Sequence, residues 1–153
     1  MLLRMVRHAK HLLALVLCLR VIPEIAQGQV RDGILGHPWG TPVASVAQPL
    51  ELHTVRMEGD LVFYATGLHE LGDTPIDCCE VEFVSGSLAG VIVTTRGADN
   101  SRRLLSLLHN EYGEGTARNA MAHTWMTPET HVAFDLDNLG DAYVYWYSMR
   151  LQK

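Results

Sequence analysis

Cysteine is scarce: the chain has three in 153 residues, and two of them, Cys78 and Cys79, are adjacent. A small domain stapled by disulfides needs cysteines spread along its length, so that class is excluded, and neither thiol has the spacing of a metal ligand. Basic residues are also few, 12 Lys and Arg against 17 Asp and Glu. No G-x-S-x-G elbow surrounds Ser45, Ser85, Ser87, Ser101, Ser106 or Ser148, which argues against an exposed serine nucleophile. No phosphate-cradling glycine loop leads from a strand into a helix, since Gly97-Ala98-Asp99 offers one glycine and places an acid where phosphate would sit. No cofactor is expected.

Long apolar runs are missing as well. Leu12-Leu13-Ala14-Leu15-Val16-Leu17-Cys18-Leu19 is interrupted by Arg20 and Pro23, well short of the roughly 20 residues a membrane-spanning helix needs. With Arg4, Arg7 and Lys10 ahead of it, this run reads as the h-region of a secretory signal peptide over residues 1–28. Small residues in Ala26-Gln27-Gly28 place processing before Gln29. Lipidation at Cys18 is the minor alternative, opposed by Leu17 where a small side chain is needed. A retained N-terminal helix is the other.

Residues 1–28 hold four of the basic residues (Arg4, Arg7, Lys10, Arg20) and one acid (Glu24), so residues 29–153 carry eight basic and 16 acidic side chains, a formal −8. Acids scattered at this density repel phosphate backbones and anionic lipid, which disfavours nucleic acid and membrane surfaces as partners. Residues 29–153 suffice for one domain with one core.

Periodicity sets the fold class. Residues 51–66 read as a hairpin around Glu58-Gly59-Asp60. Ile76 to Val84 alternates, which turns Cys79, Val81 and Phe83 to one face and Cys78, Glu80 and Glu82 to the other. Cys79 is expected in the core and Cys78 as a partly exposed thiol. A turn at Ser85-Gly86-Ser87 leads into the β-branched stretch Leu88–Thr95. Leu104, Leu105, Leu107, Leu108 and Tyr112 then recur at helical spacing, with Asp99 or Asn100 as the cap and Gly113 as the stop. A strand at Trp125 follows, then His131–Asp137 with Val132, Phe134 and Leu136 on one face, and a final strand, the longest, over Asp141–Leu151. Residues 36–42 read as an irregular lead-in loop. The expected architecture is α+β, a twisted antiparallel sheet of about five to seven strands packed on one main helix.

The final strand carries large apolar groups on both sides: Tyr143, Tyr145, Tyr147, Met149 and Leu151 on one, Val144, Trp146, Ser148 and Arg150 on the other. One side covers the core and the other is an aromatic surface. Trp39, Trp146 and Val144 are the expected partner contacts, with the alternative that Trp146 is simply covered and Trp39 plugs the end of the core.

Several of these features together carry a resemblance. Gly36-His37-Pro38-Trp39-Gly40-Thr41, Gly86-Ser87-Leu88-Ala89-Gly90-Val91, Asn100 with Leu104, Leu105, Leu108, Tyr112 and Gly113, and Trp125 resemble small exported bacterial proteins that open on a PWGT motif and carry a Leu-rich helix ending in Tyr-Gly. The resemblance covers most of residues 29–153 and implies no catalytic residues. Cys78-Cys79 departs from it.

Six histidines lie beyond the leader, His37, His53, His69, His109, His123 and His131, and none forms an H-E-x-x-H pair. His69 and Glu70 are adjacent and so face opposite ways on an extended chain. His123 and His131 are expected to meet across a hairpin, with Asp135 and Asp137 on one outward face nearby. No metal is expected there, because a third ligand is lacking.

The sequence therefore predicts an exported, periplasmic or secreted, non-catalytic domain that binds another envelope protein or a ligand. One alternative is a small hydrolase or metal-binding protein using His123, His131 and Asp135/Asp137. The other is a structural accessory subunit of an envelope complex. The oligomeric state is left open, and no stable membrane insertion is expected once the leader is removed.

Overall fold

A computed structural model of the chain describes residues 31–151. The expected signal peptide lies outside them. In chain order the elements are β1 (Gly33–Ile34), β2 (His37–Pro38), α1 (Val43–Val46), β3 (His53–Glu58), β4 (Leu61–Ala65), β5 (Glu70–Leu71), β6 (Thr74–Pro75), β7 (Cys78–Val84), β8 (Ser87–Thr95), α2 (Ala98–Tyr112), β9 (Thr116–Asn119), β10 (Ala122–Met126), β11 (Thr130–Leu136) and β12 (Ala142–Ser148).

The main sheet has eight strands in the order β3-β4-β7-β8-β12-β11-β10-β9, all neighbours antiparallel. It is two four-stranded meanders joined at one seam. β3, β4, β7 and β8 form the first, α2 carries the chain away, and β9 to β12 return so that β12 docks on β8. The α+β character is as expected, but the strand count exceeds five to seven. β9 supplies one of the additional strands: Thr116-Ala117-Arg118-Asn119 is exposed throughout and has no apolar alternation, because an edge strand is held by backbone pairing without a buried apolar face.

Tight turns make the meanders. Val84 and Ser87 pair across Ser85 (φ 48°) and Gly86 (φ 77°), both left-handed, which matches the twist of the flanking strands. The lead-in stretch is more regular than expected: β1 pairs with β2, and α1 follows Pro42, which bridges to Ser87. Gly33 is obligatory in that hairpin, since a Cβ there would collide with the His37 carbonyl oxygen.

The core lies on one side of the sheet. Cys79, Val81 and Phe83 of β7, Val91 and Val93 of β8, Val144 and Trp146 of β12, and Val132 and Phe134 of β11 pack against Leu104 and Leu108 of α2. Ile34, Val46, Leu50, Leu71 and Ile76 close its ends. The helix presents the expected stripe, with Ser101, Leu104 and Leu108 buried. Its cap differs from expectation. Gly97 stands at the N-cap with no side-chain cap bond, and the Gly97 N–H is taken instead by the carboxylate of Asp141, 44 residues on, at 2.8 Å. Asp99 pairs with Arg102, and the Asn100 amide turns back to the Arg96 carbonyl. The last strand is also shorter than expected. β12 ends at Ser148, where Met149 N–H bonds the Glu129 carbonyl, and the nine-residue β8 is the longest strand.

Candidate functional site

Strand geometry sends alternate residues of β12 to opposite faces, and the two faces end in different surroundings. Val144 and Trp146 are 0 % and 1 % exposed, whereas Tyr143 and Tyr145 are 36 % and 38 % exposed. The partner contacts expected at Trp146 and Val144 are corrected accordingly. Both side chains sit in the core opposite Val91 and Val93 and cannot touch a partner in the folded chain. The aromatic surface is the tyrosine side of the same strand.

Trp39 is partly buried against the core. Its indole N–H donates to Thr130 Oγ1 at 2.8 Å, and that hydroxyl lies 2.8 Å from the Arg31 carbonyl and 2.7 Å from Asp32 Oδ1. The network ties the first described residues to β11. Tyr112 reaches the same Arg31 carbonyl at 3.4 Å, and burial pushes its hydroxyl above the ordinary tyrosine range.

The expected meeting of His123 and His131 does not occur. His123 pairs with Phe134 and His131 with Met126, three positions apart along the ladder. His123 joins an aromatic cluster with His109, Trp125 and Phe134 at centroid separations of 5.7, 5.9 and 6.3 Å. Trp125 is anchored there by its indole N–H on the Gly113 carbonyl, 2.9 Å, with its ring against Gly115, where a Cβ would stand 2.5 Å away. His131 instead lies on the tyrosine face, its Nδ1 hydrogen-bonded to the Tyr147 hydroxyl. Burial, helped by the charge of Arg118, lowers the pKa of His131 from its usual value. In the neutral ring one nitrogen donates and the other accepts, so Nδ1 and the Tyr147 hydroxyl share one proton between them and Nε2 takes the role opposite to Nδ1.

Asp135 and Asp137 are occupied separately. Asp135 accepts Arg118 at 3.0 Å, and Asp137 Oδ1 accepts the Leu139 and Asp141 N–H groups at 2.8 and 2.9 Å, closing the turn before β12. Among the described residues no group of three or more His, Cys, Asp or Glu side chains could hold a metal ion. A cavity of about 480 Å³ touches Asp135 and Asp137 but is otherwise walled by Asn119, Ala120, Met121 and neighbours, without either histidine. Cys79 is buried, and that burial pushes its thiol up to about 12. Cys78 takes the open face beside Thr94, its thiol raised by burial and by Glu80 and Asp77.

The open face is best read as rows running across the strands. In one row Phe63, Glu82, Gly90, Tyr147, His131 and Met126 succeed one another; in the next, Ala65, Glu80, Ile92, Tyr145, Ala133 and Thr124. A third runs Cys78, Thr94, Tyr143 and Asp135. Three tyrosines thus line the middle of the sheet, with carboxylates on the β7 side and His131 and Arg118 on the other. Tyrosine and arginine are the residue types that concentrate at binding surfaces, because each combines broad contact area with polar reach. Of the two apolar sides of β12, the open one is made of tyrosines, which can keep their polar atoms in water.

Comparison of the chain with protein-family models, curated proteins and solved structures returns no match.

Proposed function

We propose that this chain is an exported, non-catalytic binding domain whose contact surface is the open face of the sheet, centred on Tyr145. The single observation that carries the reading is the sorting of β12. Its apolar side chains are enclosed while Tyr143 and Tyr145, in the middle of an eight-stranded sheet, stay more than a third exposed. A contiguous aromatic surface rimmed by charge is what an interaction site requires. Export rests on the basic and apolar pattern of residues 4–19 and the small residues at 26–28, and on the likeness to exported proteins with a PWGT opening. A hydrolytic or metal-binding role has less support, since the groups it would need are dispersed among the aromatic cluster, the open face and the Asp137 turn.

The test is site-specific photocrosslinking in the exporting cell, with benzoylphenylalanine at position 145 and, as the control, at Leu139, exposed in the turn before β12. The expected result is one discrete adduct at 145 that is absent at 139, identified by mass spectrometry. No adduct at 145 in a folded, exported chain would remove the face from consideration.

A further inference from the structure

Resting on that reading of the open face, we infer that its occupant is a second copy of this chain, packed sheet against sheet about a two-fold axis that runs along the β8–β12 seam. Such an axis sets β8 against β12 of the second copy, β7 against β11 and β4 against β10, and it keeps each cross-strand row facing itself. The rows are self-complementary under that operation. In the first, Gly90 faces Tyr147, Glu82 faces His131, and Phe63, with the Arg56 guanidinium over its ring, faces Met126. The smallest residue meets a large one, an acceptor meets a donor, and at each end Met126 faces the Arg56 guanidinium that covers the buried Phe63 ring. In the second, Ile92 faces Tyr145, Glu80 faces Ala133, and Ala65 faces Thr124.

Hydrogen-bonding groups follow the same symmetry. The carboxylates Glu80 and Glu82 lie on one flank of the seam. His131 lies on the other, where Arg118 and Asp135 pair with each other at 3.0 Å and leave that flank without the excess of carboxylates found on the first. Glu82 leans over Gly90, its Oε2 3.2 Å from where a Cβ would stand, which brings the carboxylate toward the seam. There it meets the Tyr147–His131 pair of the second copy, and the inferred contact takes the tautomer in which Nδ1 accepts the Tyr147 hydroxyl and Nε2–H donates to Glu82. Isologous contacts require this kind of self-matching. Extent is adequate too: eight strands about 4.8 Å apart and about 20 Å long make a face of roughly 750 Å², near the about 800 Å² per partner of a standard interface. Two such sheets pack face to face about 10 Å apart with strands within about 30° of each other.

The experiment is sedimentation equilibrium on protein expressed from the full 153-residue sequence, with circular dichroism and a thermal melt on every variant. The wild type is expected to be a dimer, and Tyr145→Asp a folded monomer. Glu82→Lys and His131→Glu should each raise the dissociation constant at least about tenfold. The double variant, which sets a lysine opposite a glutamate across the same contact, should recover to within about threefold of wild type. A purely structural role for either residue would not give that recovery. A wild type that stays monomeric at about 100 µM overturns the inference, since a contact weaker than that is poorer than ordinary specific association. So does a dimer indifferent to both single substitutions. A monomer that still crosslinks at position 145 to a different protein leaves the binding face standing and removes only the second copy as its occupant.

Discussion

The two faces of the main sheet are built from the same strands and share backbone, twist and register, yet they differ in what their side chains can leave in water. On the inner face Ala142, Val144 and Trp146 meet Val91, Val93, Val132 and Phe134 with almost nothing exposed. On the outer face Tyr143, Tyr145, Tyr147, Ile92, Glu80, Glu82 and His131 keep partial exposure. Apolar area alone does not separate the two, because a tyrosine ring offers as broad a contact surface as an aliphatic side chain. The polar handle does. A phenol hydroxyl remains hydrated at the surface, whereas the aliphatic groups of the inner face gain from burial at about 25 cal/mol per Å². One face is therefore spent on stability, and the other is available for contact.

The largest expected effect comes from emptying the inner face at its biggest side chain. Trp146→Ala should destabilise the chain by about 3–5 kcal/mol, read as a fall in the urea midpoint at unchanged m-value. A loss below about 1 kcal/mol would mean that the inner and outer faces have been assigned the wrong way round, since that is the scale of surface substitutions.

Much of this division was legible in the sequence, and the failures are instructive. The α2 stripe, the hairpins on either side of Gly59 and of Ser85-Gly86, and the alternation of β7 each follow from local period and turn chemistry, and the structure has all of them. The facing of Cys78 and Cys79 followed from the same alternation. Three things were not legible. β12 is apolar on both sides, so its period alone could not say which side faces α2; the register against β8 decides that, and register is a tertiary property. The helix cap is supplied by Asp141, far along the chain, so scanning the residues before the helix for a capping side chain could not find it. The histidine pairing failed because a hairpin's turn length sets which residues face each other. The Thr127-Pro128-Glu129 connection puts Met126, not His123, opposite His131.

An intermediate effect is expected where the inner face makes a polar exception. Thr130 is buried, yet its hydroxyl accepts the Trp39 indole N–H and serves Arg31 and Asp32. Thr130→Val keeps the shape and removes these bonds, leaving the indole N–H without its acceptor, which should cost about 1–3 kcal/mol. Hydrogen exchange should rise at Trp39, whose N–H bonds the Asp32 carbonyl at 3.0 Å, and stay unchanged in β4 and β7. Uniform acceleration across the sheet would show that the network supports the whole core rather than the lead-in hairpin.

The smallest stability effect belongs to the outer face, and it is the most discriminating. Tyr145→Ala removes a large aromatic from the middle of the sheet, as Trp146→Ala does one residue on. The phenol is already partly in water and leaves no enclosed cavity, so the loss at chain concentrations too low for association should stay below about 1 kcal/mol. At high concentration the wild type is expected to gain further stability if the second copy is the occupant, because any partner that binds only the folded state adds to it by mass action. The gap between wild type and Tyr145→Ala should then widen with concentration, while the gap for Trp146→Ala stays fixed. A Tyr145→Ala penalty that is large and independent of concentration would place that ring among the fold's own supports and take the outer face out of the binding role.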